Sequence, residues 1–249
     1  MKIIQSIQNE TIKLVDKLHD KKVRTSKQKF IVEGYHLVEE AYKHNQLDSI
    51  FTINEEDFNK FKNCEQYLVT EQIIKKLSTT INPQGIIGVV KMQESLPIDL
   101  NKETIKIVLL DNVNDPGNLG SIVRTAAALG YDAIYMSSDT VDIYNEKTIR
   151  ATQGSIFKIP FYYGNLETLI SKLKKNGIIC FGTTLENSVN LENVKHCKRY
   201  AVCFGNEARG MNEDTIKLMD KNIKIEMQND VESLNVLAAS SIVLYELKK

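Results

Sequence analysis

The stretch Leu110–Gly130, LDNVNDPGNLGSIVRTAAALG, decides how the rest of the chain reads. It closes an apolar strand, Ile105–Leu110, makes a polar turn at Pro116-Gly117, and opens a helix in which Arg124 sits among small apolar residues. Strand, short turn and helix form the repeating unit of an α/β protein. A turn at a helix start presents unpaired backbone N–H groups, a natural place for an anion or the polar edge of a ligand. Arg124 is either tied to a carboxylate or kept for an anion that the chain itself does not supply.

Outward from this stretch the same rhythm continues. Near-continuous apolar runs at Ala133–Met136, Ile178–Thr183, Tyr200–Gly205 and Ile223–Met227 suit a mostly parallel sheet covered on both faces. Helices are expected between them at Gly120–Leu129, Leu166–Asn176 and Asp214–Met219, and a last one from Asn235 to the end. Upstream, shorter runs alternate: a helix over Asn9–Leu18 with Asn9 as cap, a basic connector Asp20–Lys29, strands at Phe30–Val32, Ser49–Ile53, Gln66–Thr70 and Gly85–Met92, and helices around Leu37–Lys43 and Ile73–Leu77. The polar segment Gln93–Thr104, with Pro97, reads as a linker. The expected organisation is a smaller α/β domain over 1–97, a linker over 98–104 and a larger α/β domain over 105–249.

At 249 residues, 42% hydrophobic and 26% charged, the chain has the composition of a folded globular protein. With 32 basic and 32 acidic residues no global field drives it onto a polyanion, so any nucleic-acid site is local. The candidate locality is the run of Lys13, Lys17, Lys21, Lys22, Arg24, Lys27 and Lys29, which is equally a solvated helix face. Cys64, Cys180, Cys197 and Cys203 lack paired metal-ligand spacing, so no metal and a reducing compartment are expected. No run approaches a membrane span and no signal peptide is present, giving an expected cytoplasmic location.

Two further clusters follow apolar runs. Gly205-Asn206-Glu207-Ala208-Arg209-Gly210 places an amide and a carboxylate at the tip of a strand, where parallel sheets bind their ligands. Ile225-Glu226-Met227 leads through Gln228–Glu232 into Ser233-Leu234-Asn235-Val236, where Ser233 or Asn235 can simply cap the following helix. The chain carries no G-x-G-x-x-G after a strand, which removes the dinucleotide-type pocket and a nucleotide-dependent metabolic enzyme built on it.

Taken together, Asn118, Gly120 and Arg124, then Gly205, Asn206, Glu207 and Gly210, then Ser233 to Val236 resemble the ordered motifs N-x-G…R, G-N-E-x-x-G and S-L-N-V of the SpoU, or TrmH-like, branch of the SPOUT methyltransferases. The likeness spans about residue 105 to the end. Gln28–Gly34 and Asn82–Val90 are similar to that family's substrate-binding domain, an α/β unit of ribosomal-protein type.

The resemblance implies a deep trefoil knot near the carboxyl end and transfer of a methyl group from S-adenosylmethionine to an RNA ribose 2′-hydroxyl. It favours 23S rRNA over tRNA, with an RNA-binding or ribosome-assembly protein without catalysis as the remaining alternative. It assigns Arg124, Asn118, Glu207, Ser233 and Asn235 to the catalytic site, with Arg124 as hydroxyl-activating base or phosphate clamp. It assigns cofactor contacts to Thr183, Thr184, Leu185, Gly205, Asn206, Glu207, Gly210, Ile225, Met227, Ser233 and Leu234, and it implies a homodimer. The chain departs from the family pattern at Glu226, where many relatives have proline, and at Asn229, where they have glycine.

Overall fold

The computed structural model describes residues 2–94, 96–228 and 233–248. Asn229 and the rest of 229–232 lie outside the described residues. The chain divides into two compact units, 1–94 with 144–157, and 95–143 with 158–249. It therefore passes between the units three times, where the sequence drew a single boundary near residue 100 and kept 144–157 with the second domain.

The first unit begins with β1 (Lys2–Ile4), α1 (Glu10–Asp16), α2 (Lys21–Lys27), β2 (Lys29–Glu33) and α3 (Tyr35–Lys43). It continues with β3 (Leu47–Thr52), α4 (Asp57–Lys60), β4 (Glu65–Val69), α5 (Glu71–Leu77) and β5 (Ile86–Lys91). The sheet order is β1-β4-β3-β5-β2, mixed in direction, with β5 antiparallel to both β2 and β3. Asn9 caps α1 by accepting from the N–H of Thr11, as expected from sequence. The basic segment is no connector: Asp20 accepts from the N–H groups of Lys22 and Val23 and starts α2 there. Ile12, Val15 and Leu18 from the first turns, Ile73 and Leu77 from α5, and Phe51 and Ile87 from the sheet make one buried core.

The second unit opens with β6 (Ile105–Leu110), α6 (Pro116–Ala128) and β7 (Ala133–Ser137). The chain then contributes α7 (Glu146–Thr152) to the first unit. It returns with β8 (Phe161–Gly164), α8 (Leu166–Lys175), β9 (Ile179–Thr183), β10 (Val189–Asn190), β11 (Arg199–Phe204), α9 (Glu213–Lys217), β12 (Lys221–Lys224) and α10 (Val236–Leu247). The seven strands lie in the order β10-β12-β9-β11-β6-β7-β8, and every pairing is parallel, as the apolar runs implied. Ile105, Ile107, Leu109, Cys180, Ala201 and Cys203 fill one face against Ile170 and Leu173 of α8. The Cys180 thiol is pushed up to about 12 by burial, which leaves it inert packing.

Residues 144–157 are held on the first unit by several contacts. The Tyr144 ring lies 4.7 Å from Phe30, Arg150 donates to the Thr79 hydroxyl at 2.7 Å, and His19 Nδ1 meets Glu146 Oε1 at 2.8 Å. The Glu146 hydrogen bond raises the His19 pKa above 6.5, against the lowering effect of burial. A folded state that binds the proton more tightly than the unfolded chain gains stability below the ordinary imidazole value, and the gain fades as pH rises through the raised one. Urea unfolding followed by circular dichroism between about pH 5 and 8 is therefore expected to show this unit weakening toward the alkaline end. His19→Gln should flatten that trend.

Candidate active site

The adjacent strands β6 and β11 end side by side, with Leu110 in register with Phe204, so the loops that follow them start together. The first loop turns at once into α6. Asp115 caps that helix by accepting from the N–H of Asn118 at 2.8 Å, and Pro116 fills the first helical position, where a missing N–H costs nothing. The second loop folds back on itself: Asn206 and Gly210 exchange both backbone hydrogen bonds, and the Asn206 side chain accepts from the N–H groups of Ala208 and Arg209. Gly210 sits at φ +70°, left-handed backbone that favours glycine. A Cβ on Gly205 would lie 2.1 Å from the Gly210 carbonyl carbon and the Met211 nitrogen, so only glycine lets the loop close.

Glu207 joins the two loops. Its Oε1 accepts from the Asp115 N–H and the Asn118 amide, each at 3.1 Å, and its Oε2 accepts from the Asn114 N–H at 3.2 Å. Partial burial works against the charge, but the Asn118 amide and the N–H groups of Glu207 itself, Asp115 and Asn114 together hold this carboxyl below the usual glutamate range. Asn206 donates to the Asn112 carbonyl and Asn212 donates its N–H to the buried Asp111, closing the same seam.

Beneath this seam lies a cavity of about 500 Å³, within the ~300–1,000 Å³ typical of small-molecule sites. All the residues assigned to cofactor contact from sequence line it: Thr183, Thr184 and Leu185, then Gly205, Asn206, Glu207 and Gly210, then Ile225, Met227, Ser233 and Leu234. The sequence reading missed part of the wall, including Phe204, Met211 and Ile223, and Val236, Ala239 and Val243 of α10. The last three recur on one helical face, a spacing that could have pointed to them. Glu226 stands beside the cavity with its carboxylate accepting from the Asn190 amide at 2.8 Å.

Of the residues assigned to catalysis, the fold brings Asn118 and Glu207 into contact. Arg124 is exposed on α6 and has no hydrogen-bond or ion-pair partner among the described residues, so the mundane ion pair is absent there. Asn235 caps α10 by accepting from the N–H of Leu237 at 2.9 Å. Ser233 is exposed on the cavity wall. Neither Arg124, Asn118 nor Asn235 belongs to that wall.

A model of the SpoU rRNA Methylase family matches residues 106–245, the segment that contains all of these loops. The chain belongs to that family. The MRM3-like substrate binding domain matches residues 9–88 of this SpoU chain. The 23S rRNA (guanosine(2553)-2′-O)-methyltransferase RlmP of Bacillus subtilis is 35% identical over the whole of both chains. An AdoMet-bound rRNA methyltransferase from Sinorhizobium meliloti superposes with a TM-score of 0.90 at 29% identity, covering 99% of this chain and 97% of that one. The TrmH/SpoU tRNA modifying enzyme of A. aeolicus, also 29% identical, matches 59% of this chain and 76% of its own, with a TM-score of 0.52. Among the described residues no cluster could hold a metal ion, and no helix is long and apolar enough to cross a membrane.

Proposed function

We propose that this SpoU chain transfers a methyl group from S-adenosylmethionine to a ribose 2′-hydroxyl of 23S rRNA. The observation that carries the reading is the cavity walled by three strand-end loops, one of which, through Glu207, also fixes the start of the helix bearing Arg124. The cavity's chemistry fits the cofactor: Phe204, Met211, Ile223 and Val243 offer an apolar wall for a purine, and loop segments outside helix and sheet offer peptide groups for its polar edges. When bound, S-adenosylmethionine supplies an already activated methyl group on a sulfonium.

The chain's own task is to align the ribose oxygen with that methyl and stabilise what develops there. Glu207 spends both oxygens on Asn114, Asp115 and Asn118, so it positions the first loop and is not the base. A guanidinium is a permanent cation. Exposed and unpaired among the described residues, Arg124 acts in this reading as a clamp on the phosphate beside the target ribose. Asn118, fixed at the helix start, and Ser233, at the cavity wall, border the ribose.

The match of a full-length rRNA-acting relative, against a partial match to a tRNA-modifying one, supports rRNA. An arginine unpaired among the described residues and an assembled Asn118–Glu207 contact are what a binder without catalysis would not need. The family's trefoil knot belongs to the same proposal, as does a homodimer. What supports the dimer is the face of α10, where Ala238, Ile242 (44% exposed) and Tyr245 (55% exposed) recur at helical spacing as an apolar stripe facing solvent. Light scattering is expected to give a dimer for the native chain and a monomer for Ile242→Glu with Tyr245→Glu.

The reading is tested by titrating S-adenosylmethionine calorimetrically and by mapping ribose methylation in 23S rRNA incubated with the protein. Absence of both binding and methylation, with rRNA present, would overturn it.

A further inference from the structure

Among the cations that stand out between Lys13 and Lys29, the structure separates those with structural work from those without. Lys13 is paired with Glu10 at 3.0 Å and Lys29 with Asp48 at 2.6 Å. Arg24 is buried and donates to the carbonyls of Leu18 and His19, so it holds the turn before α2. Lys17, Lys21, Lys22 and Lys27 are exposed and have no ion-pair or hydrogen-bond partner among the described residues.

The placement of Lys21 and Lys22 is electrostatically poor for the fold. Lys21 and Lys22 occupy the first turn of α2, which contains no acidic residue; Asp20 is spent on the N–H groups of Lys22 and Val23, and Asp16 is paired with Lys76. Cations in a first helical turn oppose the peptide dipoles there and are found more readily at the other end. Lys17, the C-cap of α1, sits where a cation is favoured but pairs with no carboxylate among the described residues, and the exposed hydroxyl residues Thr25 and Ser26 lie in α2. In a chain with net charge zero this is a local concentration of like charge that no ion pair among the described residues neutralises.

We propose that the α2 face, through Lys17, Lys21 and Lys22, is a docking surface for the phosphate backbone of the RNA substrate. The inference rests on the ribosomal RNA reading above and names the surface of the amino-terminal unit that grips it. Flexible ammonium groups with no fixed acceptor suit contacts that position a polyanion without reading its bases. The surface therefore contributes salt-dependent affinity, and base choice arises elsewhere.

The test uses the full chain and a 23S rRNA fragment. Lys17→Gln, Lys21→Gln and Lys22→Gln combined is compared with a charge-matched control, Lys62→Gln, Lys172→Gln and Lys175→Gln, at exposed lysines outside this face. Three lost phosphate contacts should flatten the slope of log affinity against log salt by about 2–3. KM for RNA should rise with kcat and S-adenosylmethionine binding unchanged, and the control should match the native chain. A native chain that methylates the fragment while the α2 variant keeps its full salt slope overturns the docking surface alone, as does an equal loss of slope in the control. A native chain that neither binds nor methylates RNA overturns the functional reading beneath it.

Discussion

Arg124→Ala is expected to lower the rate of RNA methylation by a factor of about 10²–10³, the range seen when one preorganised charge-stabilising group is removed from an active site, while folding and S-adenosylmethionine binding stay at native levels. Both halves follow from position. The side chain is exposed on α6 and touches no described residue through a hydrogen bond or ion pair, so its removal leaves no buried group unsatisfied. It is absent from the cavity wall, so the cofactor's surroundings are unchanged. Arg124→Lys separates the two roles open to this residue. A clamp needs only positive charge, so lysine should restore part of the rate with a pH profile parallel to the native one, short of full recovery because an ammonium lacks the guanidinium's bidentate fork. A base would show the opposite signature: the lysine variant's rate would climb about tenfold per pH unit toward alkaline pH, where its amine loses the proton. Single-turnover methylation at saturating RNA reads the difference, and native activity in Arg124→Ala would remove this residue from the mechanism.

Strand-end loops were legible as a set, through the order and spacing of three motifs along the chain. Each loop alone reads as an ordinary turn or helix cap, and it is the three together, in order, that resemble the SpoU motifs; β6 begins and ends at Ile105 and Leu110 as read from sequence. The missed elements depend on partners far along the chain. β1 has three residues, too few to show a period, and exists through parallel pairing with β4. Residues 144–157 have ordinary helical composition, and nothing local says which core Tyr144 and Phe157 will meet; both rings lie beside Phe30. β12 was expected over Ile223–Met227 but runs Lys221–Lys224, because Lys221 and Asn222 pair with Phe181 and Gly182 while Asp220 accepts from the Cys180 N–H. The apolar residues that made the segment look like strand, Ile225 and Met227, line the cavity instead. Apolar character reported a half-buried cavity wall there, and an apolar ligand site looks the same in sequence as a strand buried in a sheet.

Glu207→Gln, nominally conservative, is expected to be nearly as damaging to methylation as the loss of Arg124, with little change in global stability. The carboxylate accepts on both oxygens, from the Asp115 N–H and the Asn118 amide at Oε1 and from the Asn114 N–H at Oε2. A glutamine has one acceptor oxygen; its amide nitrogen would turn two donor hydrogens toward an N–H that needs an acceptor. Either rotamer therefore breaks the seam between the β6 and β11 loops, and the start of α6, with Asn118 and the helix that carries Arg124, loses its anchor. The exposed setting limits the stability cost to around 1 kcal/mol, since water replaces the lost contacts, whereas a shift of about 1 Å in the reacting groups is worth about 10² in rate. The anchor should also persist in mild acid. Its carboxyl is held below the ordinary 4.5, so the stabilisation is fully present above that value and is lost only as pH falls through the lower, folded-state one. The decisive measurement pairs thermal unfolding with methylation for Glu207→Gln and Glu207→Ala. If glutamine keeps native turnover, the two-oxygen anchor is not what aligns this site, and Asn118 must be held by the Asp115 cap alone.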